Sequence, residues 1–197
     1  MKSAAKTQLG PKKPLSDERL IALCLKGDQE AWADLIDKYK NLIYSIPIKL
    51  GMYDDAADIF QAVCLDLLSG LSRLREPNAL PKWLMQVSYH KCLEQRTRAK
   101  KQIQLEDEDA EKIPADAGSA LPEEMLAQLQ REQTVREVVA ALPARCGRMV
   151  RMLFYETPPR PYQQVAQELG IATGSIGFIR GRCLTRLKKQ LEKMGFQ

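Results

Sequence analysis

Apolar residues recur every three or four positions along most of this chain, and no segment alternates with period two. That pattern lines one face of a helix and leaves no pleated face for a sheet to bury. The expected fold is therefore all-α. From Ser16 a short helix carries Leu20, Ile21, Leu23 and Cys24, and Gly27-Asp28 breaks it. Asp28 is placed to cap a second helix with Trp32, Leu35, Ile36, Tyr39, Leu42, Ile43 and Ile46 on one stripe. Pro47 is expected to kink or end that helix. A third helix, capped by Asp54 or Asp55, places Ile59, Phe60, Val63, Cys64, Leu67, Leu68 and Leu71 on its apolar face. Arg73 to Pro81 has loop chemistry, and Pro81 suits the first turn of a fourth helix that starts with Trp83 and Leu84 and ends basic.

Charge divides the chain. Between Gln104 and Glu124 eight acids accompany one base, Lys112, with Pro114, Gly118 and Pro122 interspersed. Such a stretch has too little apolar surface to fold alone, which predicts a flexible acidic linker over 102–124. It separates two small helical domains, 15–101 and 125–197. Residues 1–14, with four lysines, are expected to be a disordered basic extension. In the second domain, helices are predicted from Met125 to about Pro143 and from Val150 to Tyr155. Pro158, Pro159 and Pro161 end the latter, and two further helices follow.

Several functions are excluded early. No apolar run approaches the roughly 20 residues that span a bilayer, and no apolar segment follows the N-terminal lysines, so neither membrane insertion nor secretion is expected. There is one histidine, His90, and no G-x-S-x-G, Walker or dinucleotide-binding motif, so no enzyme, cofactor or metal is expected. The five cysteines (Cys24, Cys64, Cys92, Cys146, Cys183) form no C-x-x-C pair. Each is read as a small apolar residue in a reducing cytoplasm. The net charge of +5 is modest, so its distribution carries the argument.

The most informative segment is YQQVAQELGIATGSIGFIRGR, residues 162–182. Ala166 lets two helices cross closely, and Gly170 suits a turn with positive φ. Ile176 and Ile179 plug the second helix back onto the first. Thr173 is placed to cap that second helix, leaving Ser175, Phe178, Arg180 and Arg182 facing outward. From Arg180 to Lys193 six bases, Arg186 among them, accompany one acid. A helix-turn-helix with a basic flank suits the DNA major groove and its phosphates. The alternative is an ordinary helical hairpin with a solvated basic face.

The chain resembles bacterial sigma factors of the compact extracytoplasmic-function (ECF) type, which carry only regions 2 and 4. The resemblance spans about Leu15 to Leu191. DERLIALCLKGDQEAWADLIDKY is similar to the family's opening segment, and DDAADIFQAVCLDLL to its region 2.2. KWLMQVSYHKCLEQRTRAKK resembles regions 2.3 and 2.4. ALPARCGRMVRMLFYE, with the helix-turn-helix, resembles region 4.

The resemblance implies a non-catalytic protein that binds core RNA polymerase and recognises and opens promoter DNA. It places Asp55, Asp58, Ile59 and Gln61 on the polymerase, with Ala57 where the family usually has an acid. It assigns Leu74, Arg75, Asn78 and Leu80 to a loop that captures a flipped base of the melted non-template strand at −10. Leu74 and Leu80 stand where the family often has aromatics. Trp83 serves either the core or base stacking, and His90 either the surface or a base edge. Lys91, Arg96 and Arg98 would follow the DNA backbone. Thr173, Ser175, Phe178, Arg180, Arg182 and Arg186 would meet the −35 element, with Gly177 where many members have Lys. The acidic linker would lie in the basic polymerase channel, and an anti-sigma factor would be the antagonist. Two other readings compete: a stand-alone helix-turn-helix regulator, and a degenerate sigma that acts only by titration.

Overall fold

A computed structural model describes residues 15–106 and 120–196. The expected N-terminal extension and the middle of the acidic linker lie outside the described residues. Within them the fold is all-α, with eight helices, three short 3₁₀ turns and no strand. No helix among them is long and apolar enough to cross a membrane. The chain divides into one unit over Leu15–Arg131 and a second from Glu132 onward.

Four helices build most of the first unit: α1 (Asp17–Cys24), α2 (Gln29–Lys49), α3 (Ala56–Gly70) and α4 (Leu80–Glu106). Ser16 and Asp28 cap α1 and α2 as the sequence predicts. Their side-chain oxygens accept from the amides of Arg19 (3.4 Å) and Ala31 (3.1 Å), satisfying donors that no earlier turn can reach. Helix α2 is central, and Leu35, Tyr39, Leu42, Ile43 and Ile46 are wholly buried against α1, α3 and α4. Burying each of these side chains contributes about 1.5–3 kcal/mol.

Pro47 does not break α2, which continues to Lys49. Its missing N–H removes one bond in the final turn, where little helix remains to be disrupted. Gly51, with φ 76°, then turns the chain, and the Met52 amide donates to the Pro47 carbonyl at 2.9 Å. Asp55 stands at the N-cap of α3 without capping it; its carboxylate accepts instead from Gln95 Nε2 of α4 at 3.0 Å. Leu68 also departs from expectation. Ala56, Ile59, Val63 and Leu67 are buried, whereas Leu68 is 62% exposed. The adjacent pairs in the apolar repeat cannot all face one core, and the second members, Phe60, Cys64 and Leu68, are each less covered than the first.

The boundary between the units falls after Arg131, later than the predicted start at 125. Helix α5 (Glu123–Ala141) begins as part of the first unit. Leu121 and Leu129 are buried in that unit's core, and Met125 and Leu126 pack on it. At the other side of the acidic tract, α4 runs on to Glu106, so residues 102–106 of the predicted linker are helical, while 120–122 have no regular structure before α5 begins.

The second unit holds the rest of α5 with α6 (Ala144–Phe154), α7 (Tyr162–Leu169) and α8 (Ile176–Lys193). Helix α6 starts six residues before the predicted Val150. Polar Arg145 and Arg148 and the small Gly147 conceal its first turns in the sequence. Gly147 has a packing reason: a Cβ there would come within 3.2 Å of the Val139 carbonyl. Met149, Met152, Leu153, Val165, Ala166, Leu169, Ile176 and Cys183 form one small core, and Val139, Leu142 and Val150 form another.

The cysteines require a correction. Cys146 of α6 and Cys183 of α8 form a disulfide, with Cα atoms 5.3 Å apart. They are not five independent thiols. Sequence spacing gives no hint of this pair, because only the packing of α6 on α8 brings positions 37 residues apart together.

Candidate nucleic-acid interface

Where the sequence predicts a helix-turn-helix, α7 and α8 are two helices joined by a short turn. Ala166 is buried where the helices cross, and Gly170 ends α7 in the left-handed region at φ 61°, ψ 44°. Ile176 is wholly buried and Ile179 half-buried, so α8 is seated as the spacing predicts. Thr173 is not a helix cap. Thr173–Ser175 form a 3₁₀ turn, and α8 starts at Ile176 without a side-chain cap bond.

One face of α8 is open. Gly177, Phe178, Gly181, Arg182, Thr185, Arg186, Lys189 and Lys193 line a shallow concavity of about 680 Å³. Nothing lies within 4 Å of where a Cβ would stand at Gly177 or Gly181. Phe178 is 71% exposed, and the Arg182 guanidinium lies 5.7 Å from its ring centroid. This face pairs a bare backbone and an exposed aromatic with four cations, so a polyanion can approach closely.

Arg180 is not on that face. It is half-buried on the flank of α8, hydrogen-bonded to the Tyr162 hydroxyl of α7 with its guanidinium 5.7 Å from the ring centroid. Its Nε has no partner among the described residues. The sequence reading that leaves Arg180 free is corrected: it joins the two helices, while Arg182 and Arg186 face outward.

In the first unit a groove of about 440 Å³ opens between the end of α3, the following loop and the start of α4. It collects Leu74, Arg75 and Trp83 from the predicted site and adds Arg73, Glu76 and Asp66. Trp83 both packs on the core and forms a wall of the groove. Gly70 makes room for it, since a Cβ there would meet the indole at 3.2 Å. Leu80 is removed from the site: it is 0% exposed and starts α4 inside the core. Asn78 is exposed but does not line the groove.

Further along α4, His90, Arg96 and Arg98 are exposed. Lys91 is less free than predicted, with its ammonium 3.0 Å from Asp66 and 3.5 Å from Glu94. The hydrogen bond to Asp66 raises its pKa above the usual lysine value, and burial opposes that only in part. On α3, Asp58 and Gln61 are exposed as predicted, whereas Ile59 is buried and Asp55 is held by Gln95. The same outward face carries Leu65, 66% exposed, and Leu68. The sequence reading missed both as surface residues. Helix α3 is apolar on nearly every side, so periodicity alone could not show which leucines the core leaves out.

No protein-family profile matches the chain. Among curated proteins, the ECF RNA polymerase sigma factor SigW of Bacillus subtilis (strain 168) is similar. It is 24% identical over 178 residues, which cover 86% of this chain and 93% of that protein. This likeness supports assignment to the ECF sigma factor family and nothing narrower. It supports a sigma factor role in general.

Proposed function

We propose that this protein is a sigma factor that binds core RNA polymerase and directs initiation at specific promoters. The observation that carries the proposal is the open face of α8. In a helix-turn-helix, Phe178, Arg182, Arg186 and Lys189 stand together over two side-chain-free positions. That arrangement suits the −35 major groove, with the cations on phosphate and Phe178 against thymine methyls.

The first unit supplies the other two contacts. The face of α3 with Asp58, Gln61, Leu65 and Leu68 is the polymerase-docking surface. Contiguous exposed leucines rimmed by polar groups mark a protein interface. The groove of Leu74, Arg75 and Trp83 receives a base of the melted non-template strand at −10, and Arg96 and Arg98 follow its backbone. Work is done in the cytoplasm, on promoter DNA, and the family resemblance adds an anti-sigma protein as antagonist.

Run-off transcription with core RNA polymerase on a genomic promoter library tests this. Promoter-specific transcripts that need both components are expected. Core binding without transcripts at any promoter would leave a titrating sigma. DNA binding without core binding would leave a stand-alone regulator.

A further inference from the structure

The placement of the Cys146–Cys183 bond points beyond constitutive promoter binding. The three other cysteines all lie in the first unit, unpaired. Burial raises the pKa of each: Cys92 most, to about 12, and Cys24 and Cys64 to a lesser degree. As neutral, sheltered thiols they are poor nucleophiles. The two bonded cysteines are the only ones in the second unit, and they close a ring over residues 146–183 within it. The whole helix-turn-helix, 162–181, lies inside that ring. Cys183 is 1% exposed within the small core, while Cys146 is half-buried and touches both apolar clusters. Only Cys146 is open to an incoming reagent. The unit has few buried residues, so a covalent tie carries more of its stability than it would in the first unit.

We propose that Cys146 and Cys183 form a reversible thiol–disulfide site that sets the folded fraction of the helix-turn-helix. In the oxidising direction a hydroperoxide is the co-reactant. The Cys146 thiolate attacks the peroxide oxygen, giving a sulfenic acid and hydroxide. The Cys183 sulfur then displaces the sulfenic oxygen, which leaves as water. Two thiols and one hydrogen peroxide yield one disulfide and two waters. In the reducing direction a dithiol protein or dithiothreitol attacks the Cys146 sulfur and Cys183 leaves as thiolate. The second thiol of the reductant then releases Cys146, so the reductant leaves as its own disulfide. Reduced, both side chains still fit the core as small apolar groups, so the fold loosens without being rebuilt. The consequence for promoter binding rests on the function proposed above; the consequence for folding does not.

Hydrogen exchange on the full-length protein tests the site. Measurements are made on the peroxide-treated form, the form reduced with dithiothreitol, and the reduced form re-oxidised with hydrogen peroxide. Expected in the oxidised form are a peptide cross-link between Cys146 and Cys183 and three alkylatable thiols after denaturation. On reduction, amide protection in α7 and α8 should fall by roughly several hundred-fold, the scale of releasing a ring of this size. Re-oxidation should restore it, with α2 and α4 unchanged throughout. The Cys146→Ala/Cys183→Ala double variant should match the reduced protein and ignore redox conditions. Single Cys146→Ser and Cys183→Ser variants give the same reading if the double variant does not fold. Five free thiols after peroxide, equal protection in both forms, or failure to re-form the bond overturns the proposal. Promoter DNA binding in the presence of core RNA polymerase is followed in parallel. A redox change in protection with no DNA binding in either form upholds the switch and sinks the sigma reading instead.

Discussion

The two units of this chain reach stability by different means. The first is held by burial: α2 is wrapped by α1, α3 and α4, and its core extends from Leu20 to Leu129. The second divides a smaller set of buried residues between two clusters and adds a covalent tie. The difference teaches that the conditions controlling each half are separate. Reductant should act on α7 and α8, while the deep apolar core of the first unit should respond to cavities and alkali.

The largest effect expected from breaking this contrast is a cavity. Leu84 is wholly buried in the first unit, and Leu84→Ala should cost about 2–5 kcal/mol in urea denaturation. Exchange protection in α7 and α8 should be unaffected, and a matching loss there would show that the halves unfold as one. Next comes alkali. The Cys92 thiol is raised from its ordinary 9.0 to about 12 by burial. The unfolded chain therefore ionises first, so the thiol's contribution is complete below pH 9 and is lost as pH rises towards 12. The decline should reach a few kcal/mol, at about 1.4 kcal/mol per pH unit, and Cys92→Ala should flatten it.

A smaller effect is expected at Asp17. Its carboxylate accepts from the Tyr39 hydroxyl at 2.8 Å and from the Lys38 ammonium at 2.7 Å. Asp17→Asn should cost about 1–2 kcal/mol in the same denaturation, because the Tyr39 hydroxyl loses a charged acceptor. The smallest change is in binding alone. Arg182→Ala should leave stability unchanged and lower the salt dependence of promoter binding by about one unit of slope. Tyr162→Phe, which alters the Arg180 tie, should leave that slope unaltered.

What was legible in the sequence was local. Ser16 and Asp28 act as caps because the group each satisfies lies three residues away. Ala166, Gly170 and Ile176 stand as their spacing requires because the turn geometry admits little else. What escaped depends on distant packing. Leu80 and Leu68 exchange their expected environments, since only the placement of α4 decides which leucine is covered. Arg180 is drawn to Tyr162 across the turn, and Asp55 to Gln95 across two helices. The start of α6 was hidden because Gly147, a poor helix former, is there to let two helices approach. The groove beside Trp83 was legible in part: Leu74, Arg75 and Trp83 meet, while Asp66 and Arg73 joined from positions with no motif of their own.

The ring closed by Cys146 and Cys183 also bears on how the chain can be dismantled. An unfolding machine that threads a polypeptide from its C-terminal side meets Cys183 first. There it must admit two strands side by side or stall. Cleavage of the bond frees the 37-residue separation, roughly 130 Å of extended chain, for single-file passage. The same bond that ties α6 to α8 therefore also sets how long the second unit survives a protease that works by pulling.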